Sequence, residues 1–208
     1  MDDDPSRRDA VLAALTTEHF VLQSANSTTY TEASARSALY VMALSSSLVA
    51  LGFMSSNPQG LLAFSVTVLT AVFLLGLFTI VRLVETSLES MQLLIQIARI
   101  RAYYRTLGPE ARVQFAPQYG RWPEITSPAE KHGLLLAFMG TTASMIAVIN
   151  NVVGGAALAL ALRMLVPSTP GWACVAVGSV GALVLTALFY AYQRWRFREV
   201  DAAPPRDP

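Results

Sequence analysis

Charge is scarce in this chain: Asp, Glu, Lys and Arg make up 14% of its 208 residues, against about 25% in a soluble globular protein. With 53% hydrophobic residues, that shortage excludes an ordinary soluble domain. It also excludes a disordered chain, which needs low hydrophobicity and high net charge. Neither sign dominates: fifteen basic against fourteen acidic residues leave +1, so no basic field exists to attract nucleic acid. Cysteine is nearly missing. Cys174 alone rules out an internal disulfide, and one Cys with two His cannot build a zinc cage. The sequence holds no G-x-x-x-x-G-K-[ST] loop, G-x-S-x-G elbow, H-E-x-x-H or C-x-x-C, each of which carries a known catalytic or ligand geometry. No enzymatic activity, cofactor or metal site is expected.

Four long uncharged runs stand in place of that chemistry, over residues 37–56, 61–81, 133–162 and 172–193. Each reaches the roughly 20 residues that cross a bilayer. A spanning segment must satisfy its own peptide groups, and apolarity without strict alternation selects helix over barrel strand. The expected fold class is therefore an all-α integral membrane protein with four transmembrane helices. Asp2, Asp3 and Asp4 stand where a signal peptide needs positive charge, and no apolar run follows within the first 30 residues, so no cleavable signal is expected. The third run is 30 residues long, about 45 Å as helix against a core of about 30 Å. Tilt, protrusion or a break must absorb the excess, and Asn150-Asn151 followed by Gly154-Gly155 is the expected place for a break, because glycine weakens a helix interior.

Basic residues set the orientation. Fourteen of the fifteen fall before the first run, between the second and third, or after the fourth, and only Arg163 sits at the opposite end. That distribution predicts both termini and the long central connection in the cytoplasm. The resulting organisation is a cytoplasmic amphipathic helix within 1–36, a transmembrane hairpin over 37–81, a cytoplasmic segment over 82–132, a second hairpin over 133–193 and a disordered cytoplasmic tail over 194–208. The first helix is expected to run to about Ala25, with Asn26 to Thr29 as an interruption or a solvated turn.

Past the second span, Val81, Val84, Leu88, Met91, Ile95, Ala98 and Ala102 follow the a/d spacing of a coiled coil. Span two is expected to continue as a cytoplasmic rod, and its seam to need a partner, either another part of this chain or another copy, with a homo-oligomer the favoured one. The rod closes on Arg99, Arg101, Tyr103, Tyr104 and Arg105, a basic aromatic patch for lipid headgroups or a cytoplasmic partner. Four prolines between Gly108 and Pro128 exclude a long helix there.

No Asp, Glu, Lys or His lies inside a span, which argues against a proton relay or a carboxylate ion filter. The spans instead hold small polar residues: Ser45, Ser46 and Ser47 in the first, and Asn150, Asn151, Gly154 and Gly155 in the third. These are candidates for helix packing or for lining a polar path. Cys174, Gly178 and Ala182 add a small-residue stripe on the fourth, a pattern that lets helices approach closely.

Several of these stretches carry a resemblance. Leu22-Gln23-Ser24-Ala25, Glu32, Arg36, the run from Ala43 to Leu51, Arg99-Ile100-Arg101 with Tyr103-Tyr104, and the run from Val148 to Gly155 resemble a group of small actinobacterial four-span membrane proteins. The resemblance implies a bacterial plasma membrane and brings no activity with it. Ser34-Ala35-Arg36-Ser37-Ala38-Leu39, the short outer loop and the four-span plan are similar to the Orai calcium channels, whose filter is a glutamate at the outer end of the first span. The matching stretch here, Val49-Ala50-Leu51-Gly52, has no acid, so that likeness implies topology and not calcium selectivity. Two functions follow as expectations: an oligomeric, non-enzymatic channel or pore, or a non-conducting membrane anchor that binds a partner or lipid headgroups.

Overall fold

The structure, a computed structural model, describes residues 5–115 and 141–201. Among them are five α-helices and no strand: α1 (Pro5–Phe53), α2 (Pro58–Tyr104), α3 (Pro109–Gln114), α4 (Thr142–Leu165) and α5 (Gly171–Asp201). Four helices are long and apolar enough to cross a membrane, compatible with a multi-pass membrane protein. α1 packs on α2, α2 on α4, and α4 on α5, so α1 and α5 are the outer members of the set. The N-terminal half of α1 lies beside the C-terminal half of α2. Thr141, at the start of α4, accepts from Gln193 Nε2, near the end of α5, at 3.4 Å.

α1 and α2 are far longer than a bilayer is thick. Their 49 and 47 residues span about 73 and 70 Å at 1.5 Å per residue, so half of each extends beyond an apolar core of about 30 Å. These halves form a two-helix stalk. Leu22, Ile97 and Ile100 make its buried core, with Leu15, Leu94 and Tyr104 packed around them. At its far end Arg8 Nη2 donates to Leu107 O at 3.1 Å. The helices are joined at the other end by a tight turn, where the Asn57 side chain accepts from Gly60 N at 3.1 Å and Pro58 opens α2. Asparagine at the N-cap followed by proline is a strong helix start.

The polar stretch at Asn26 to Thr29 does not interrupt α1. Thr28 and Thr31 donate back to the carbonyls of Ser24 and Ser27, each at 3.1 Å, and Thr29 to that of Asn26 at 2.7 Å. The Asn26 side chain accepts from Ser90 Oγ of α2 at 2.7 Å. Side chains occupied in this way do not compete for the helix backbone.

Four further expectations need correction. α4 runs unbroken through Asn150-Asn151 and Gly154-Gly155, because these residues meet neighbouring helices and do not relax the chain. It begins at Thr142, capped by Thr141, whose hydroxyl accepts from Ser144 N at 3.2 Å; its 24 residues span about 36 Å. Residues 133–140 of the expected third run lie outside the described residues. The seam on α2 is turned from the expected one, for Val81 and Ala102 are exposed. Val84 and Leu88 are buried in the cluster that holds Ala143 and Ile146 of α4, while α1 is met by Arg82, Ser90, Ile97 and Tyr104. Val84 and Leu88 of that seam are thus buried within the chain itself, against α4, which removes them as a reason for an oligomer. Finally, α5 continues to Asp201, so helix replaces the first eight residues of the expected tail; Arg198 in its last turn complements the helix dipole. Of the proline-rich segment, Pro109–Gln114 is a short helix, and 116–128 lie outside the described residues, as do 202–208.

Candidate functional site

The asparagines expected to pack or to line a path are buried. Asn150 is fully enclosed, with its Nδ2 donating to Phe73 O of α2 at 3.2 Å and its Oδ1 accepting from Tyr40 Oη of α1 at 3.2 Å. Three helices converge on one amide. The arrangement depends on Gly76, where an added Cβ would overlap the Asn150 carboxamide and the Tyr40 ring. Asn151 is buried on the opposite flank of α4 and donates from Nδ2 to Thr186 Oγ1 of α5 at 3.1 Å. Each amide therefore clamps a different neighbour.

The glycines of α4 make the matching close approaches. A Cβ on Gly155 would collide with the Gly178 carbonyl oxygen, and one on Gly178 with that of Gly155. The stripe on α5 therefore meets α4 backbone to backbone, as small residues permit. Gly154 lies against the Phe73 ring. One turn inside the start of α4, Ser144 Oγ donates to Gln193 Oε1 of α5 at 3.3 Å.

The serines are placed differently. Ser47 is half-buried and donates to Ala43 O at 2.7 Å, whereas Ser45 and Ser46 are exposed on the outer side of α1. Within its most apolar stretch α1 has only 6% of residues buried, against 33% for α4, so it is the span that the fold covers least. Ala38, Met42, Ser45, Val49 and Gly52 are all exposed and recur at alternating steps of four and three, a line of period 3.5 along the helix. Sequence reading missed this line because Ala38, Ser45 and Gly52 interrupt its two large apolar residues, Met42 and Val49, and leave no continuous hydrophobic signal. The spacing itself was there to be found.

Where the apolar halves meet the stalk, Glu32 and Arg82 form a two-pronged ion pair: Arg82 Nε and Nη2 donate to the two carboxylate oxygens at 2.8 and 3.2 Å. Arg36 Nε also donates to Glu32 at 2.9 Å, and Arg82 Nη1 reaches Glu89 at 3.0 Å. The hydrogen bond from Arg82, then that from Arg36, holds the Glu32 carboxyl down at about 2, from an ordinary 4.5; Arg82 is in turn pushed up. Beside this cluster a groove of about 380 Å³ is lined by hydroxyl and apolar side chains, among them Thr29, Thr86, Ser90, Thr141 and Phe197.

The basic aromatic patch at the stalk end is split. Arg99 and Tyr103 are exposed, while Arg101 lies over the Phe115 ring at 5.3 Å and Tyr104 tilts against the same ring at 5.3 Å. Arg105 is half-buried, and its Nε has no hydrogen-bond partner among the described residues. Nor do the described residues bring together three His, Cys, Asp or Glu that could hold a metal ion. Compared with protein families, curated proteins and solved structures, the chain matches none of them.

Proposed function

We propose that this chain is a multi-pass membrane protein that acts, as an oligomer and without enzymatic chemistry, as a channel or pore, with both termini and the stalk in the cytoplasm. The observation that carries the reading is the division of its polar residues: the asparagines are consumed inside the fold, whereas Ser45 sits on the outward line of the least covered span. A polar path then runs between copies along α1, past Ser45 and Gly52, with Met42 and Val49 as apolar constrictions of the kind that gate by dewetting. The path contains no charge, so it selects by width and wetting rather than by a charged filter. Reconstitution into planar bilayers tests this. Conductance that Ser45→Leu closes and Leu48→Ala leaves unchanged supports the pore; silence of the purified wild-type protein contradicts it.

A second reading is favoured by the stalk. Its end exposes Arg7, Arg99 and Arg112, a basic tip about 35 Å from the apolar halves along the 23 residues 82–104. That suits an anchor which presents the tip to an acidic partner. Loss of binding to such a partner in Arg99→Glu, with no conductance in the wild type, is the result that selects it.

A further inference from the structure

Helix α5 turns one line of residues away from the rest of the fold. Val180, Leu183, Ala187, Ala191, Arg194 and Arg198 are all exposed and follow one another at three or four positions, so they share one face of the helix. The opposite face is the one that packs. Gly178 meets Gly155, Phe189 joins the buried cluster that holds Ile146 and Ala147 of α4, and Gln193 accepts from Ser144. In a bilayer, the apolar part of the outward line is the surface that α5 gives to lipid. The line then changes character within one turn, from Ala191 to Arg194 and Arg198.

Helix length sets where that change falls. Residues 171–193 of α5 span about 34 Å at 1.5 Å per residue, enough for a hydrocarbon core of about 30 Å. Arg194 is the next residue, and Arg198 lies about 6 Å further along the axis, within a headgroup layer of about 5–8 Å. Trp195, 56% exposed, leaves the helix beside them, at the level where amphipathic aromatic rings settle. Arg196 is held over its ring, 6.0 Å from the centroid. Glu199 and Asp201 come later in the chain, so Arg194 and Arg198 are met first as the helix leaves the core.

The arginines at the ends of the other spans are already paired. Arg36 and Arg82 bond Glu32, and Arg82 also reaches Glu89. Arg163, at the opposite end, donates to the carbonyls of Pro167 and Thr169. Neither Arg194 nor Arg198 has a hydrogen bond or ion pair among the described residues. Two guanidinium forks one helical turn apart suit a phosphate group, which arginine binds through paired N–H donors.

We propose that this end of α5 is a binding site for an anionic phospholipid: Arg194 and Arg198 hold the headgroup phosphate, and the acyl chains lie along the outward line from Ala191 to Val180. The proposal rests on the membrane part of the proposed function and is independent of assembly and conduction. Two arginines bring two positive charges to a phosphate that carries one negative charge. A headgroup with no cation of its own is therefore favoured over a zwitterionic one, whose ammonium the arginines repel.

Native mass spectrometry of the full chain in detergent, with equal amounts of phosphatidylglycerol and phosphatidylcholine, tests the site. Phosphatidylglycerol is expected to bind at least tenfold more tightly. A basic residue near an anionic lipid contributes about fivefold in affinity. Arg194→Gln and Arg198→Gln should thus each weaken phosphatidylglycerol about fivefold, and the double variant about 25-fold, with the helical circular dichroism unchanged. Arg36→Gln, which removes an arginine already paired with Glu32, should change binding by less than about twofold. Equal binding of the two lipids, a preference that the double variant keeps, or an equal loss in Arg36→Gln overturns the site. The membrane reading fails separately: release of the chain from liposomes by alkaline carbonate removes that reading and the site with it, whereas retention without lipid preference removes the site alone.

Discussion

Tyr40 of α1 donates its hydroxyl to Asn150 Oδ1 of α4 across 3.2 Å, and the room for this bond exists because residue 76 of the intervening α2 has no side chain. Position 76 therefore matters more than the bond it permits. Interhelical hydrogen bonds in membranes contribute about 0.6 kcal/mol on average, whereas overpacking a core costs about 1–3 kcal/mol. In detergent, Gly76→Ala should lower the unfolding temperature clearly more than Tyr40→Phe does. A Gly76→Ala protein as stable as wild type would contradict the packing described.

Gly155 and Gly178 make a close contact between α4 and α5, backbone against backbone. Gly155→Val should separate those helices, break the Asn151–Thr186 bond and lower the yield of monodisperse protein on size exclusion. Gly171, with open space around it, is the control: Gly171→Ala should be neutral. Equal behaviour of the two variants would argue against the close approach.

The Glu32 cluster gives a signed dependence on pH. The folded carboxyl titrates near 2 and the unfolded one near 4.5, so between those values the unfolded chain binds more protons and stability rises with pH. The contribution is fully present above about 4.5 and is lost as pH falls toward 2. Chemical unfolding from pH 2.5 to 6 should show the gap between wild type and Glu32→Gln narrowing as the solution is acidified. A gap that stays constant would mean that the ion pairs with Arg82 and Arg36 leave Glu32 unperturbed.

What could be read in the sequence was whatever depends on the absence of charge. The four apolar helices follow from it, and the turn at Asn57-Pro58 and the continuation of α2 past Arg99 follow from local rules. The misreadings share one cause, in that contacts here are made by residues without a hydrophobic signature. Arg82, Ser90 and Asn26 join the two stalk helices through polar groups, so a seam sought in Val81 and Ala102 was turned away from α1. Gly154 and Gly155 looked like weak points in a helix, yet their partners, Phe73 and Gly178, lie on other helices and are invisible to local reading. Ser45, Ser46 and Ser47 were indistinguishable by type. Only the direction in which each leaves α1 separates Ser47, bonded back to Ala43, from Ser45 on the outward line.

The central claim, that a polar path runs along the outer line of α1 and not past the asparagines of α4, is tested most directly by the water accessibility of single cysteines. In liposomes and a Cys174→Ala background, the rates of modification by a small, charged, membrane-impermeant thiol reagent would be compared at Met42, Ser45, Val49, Val41, Leu48 and Asn150. The account predicts reaction at Met42→Cys, Ser45→Cys and Val49→Cys, at least tenfold faster than at Val41→Cys, Leu48→Cys and Asn150→Cys. Reaction at Asn150→Cys with none along the α1 line, or no reaction at any of the six, would contradict it.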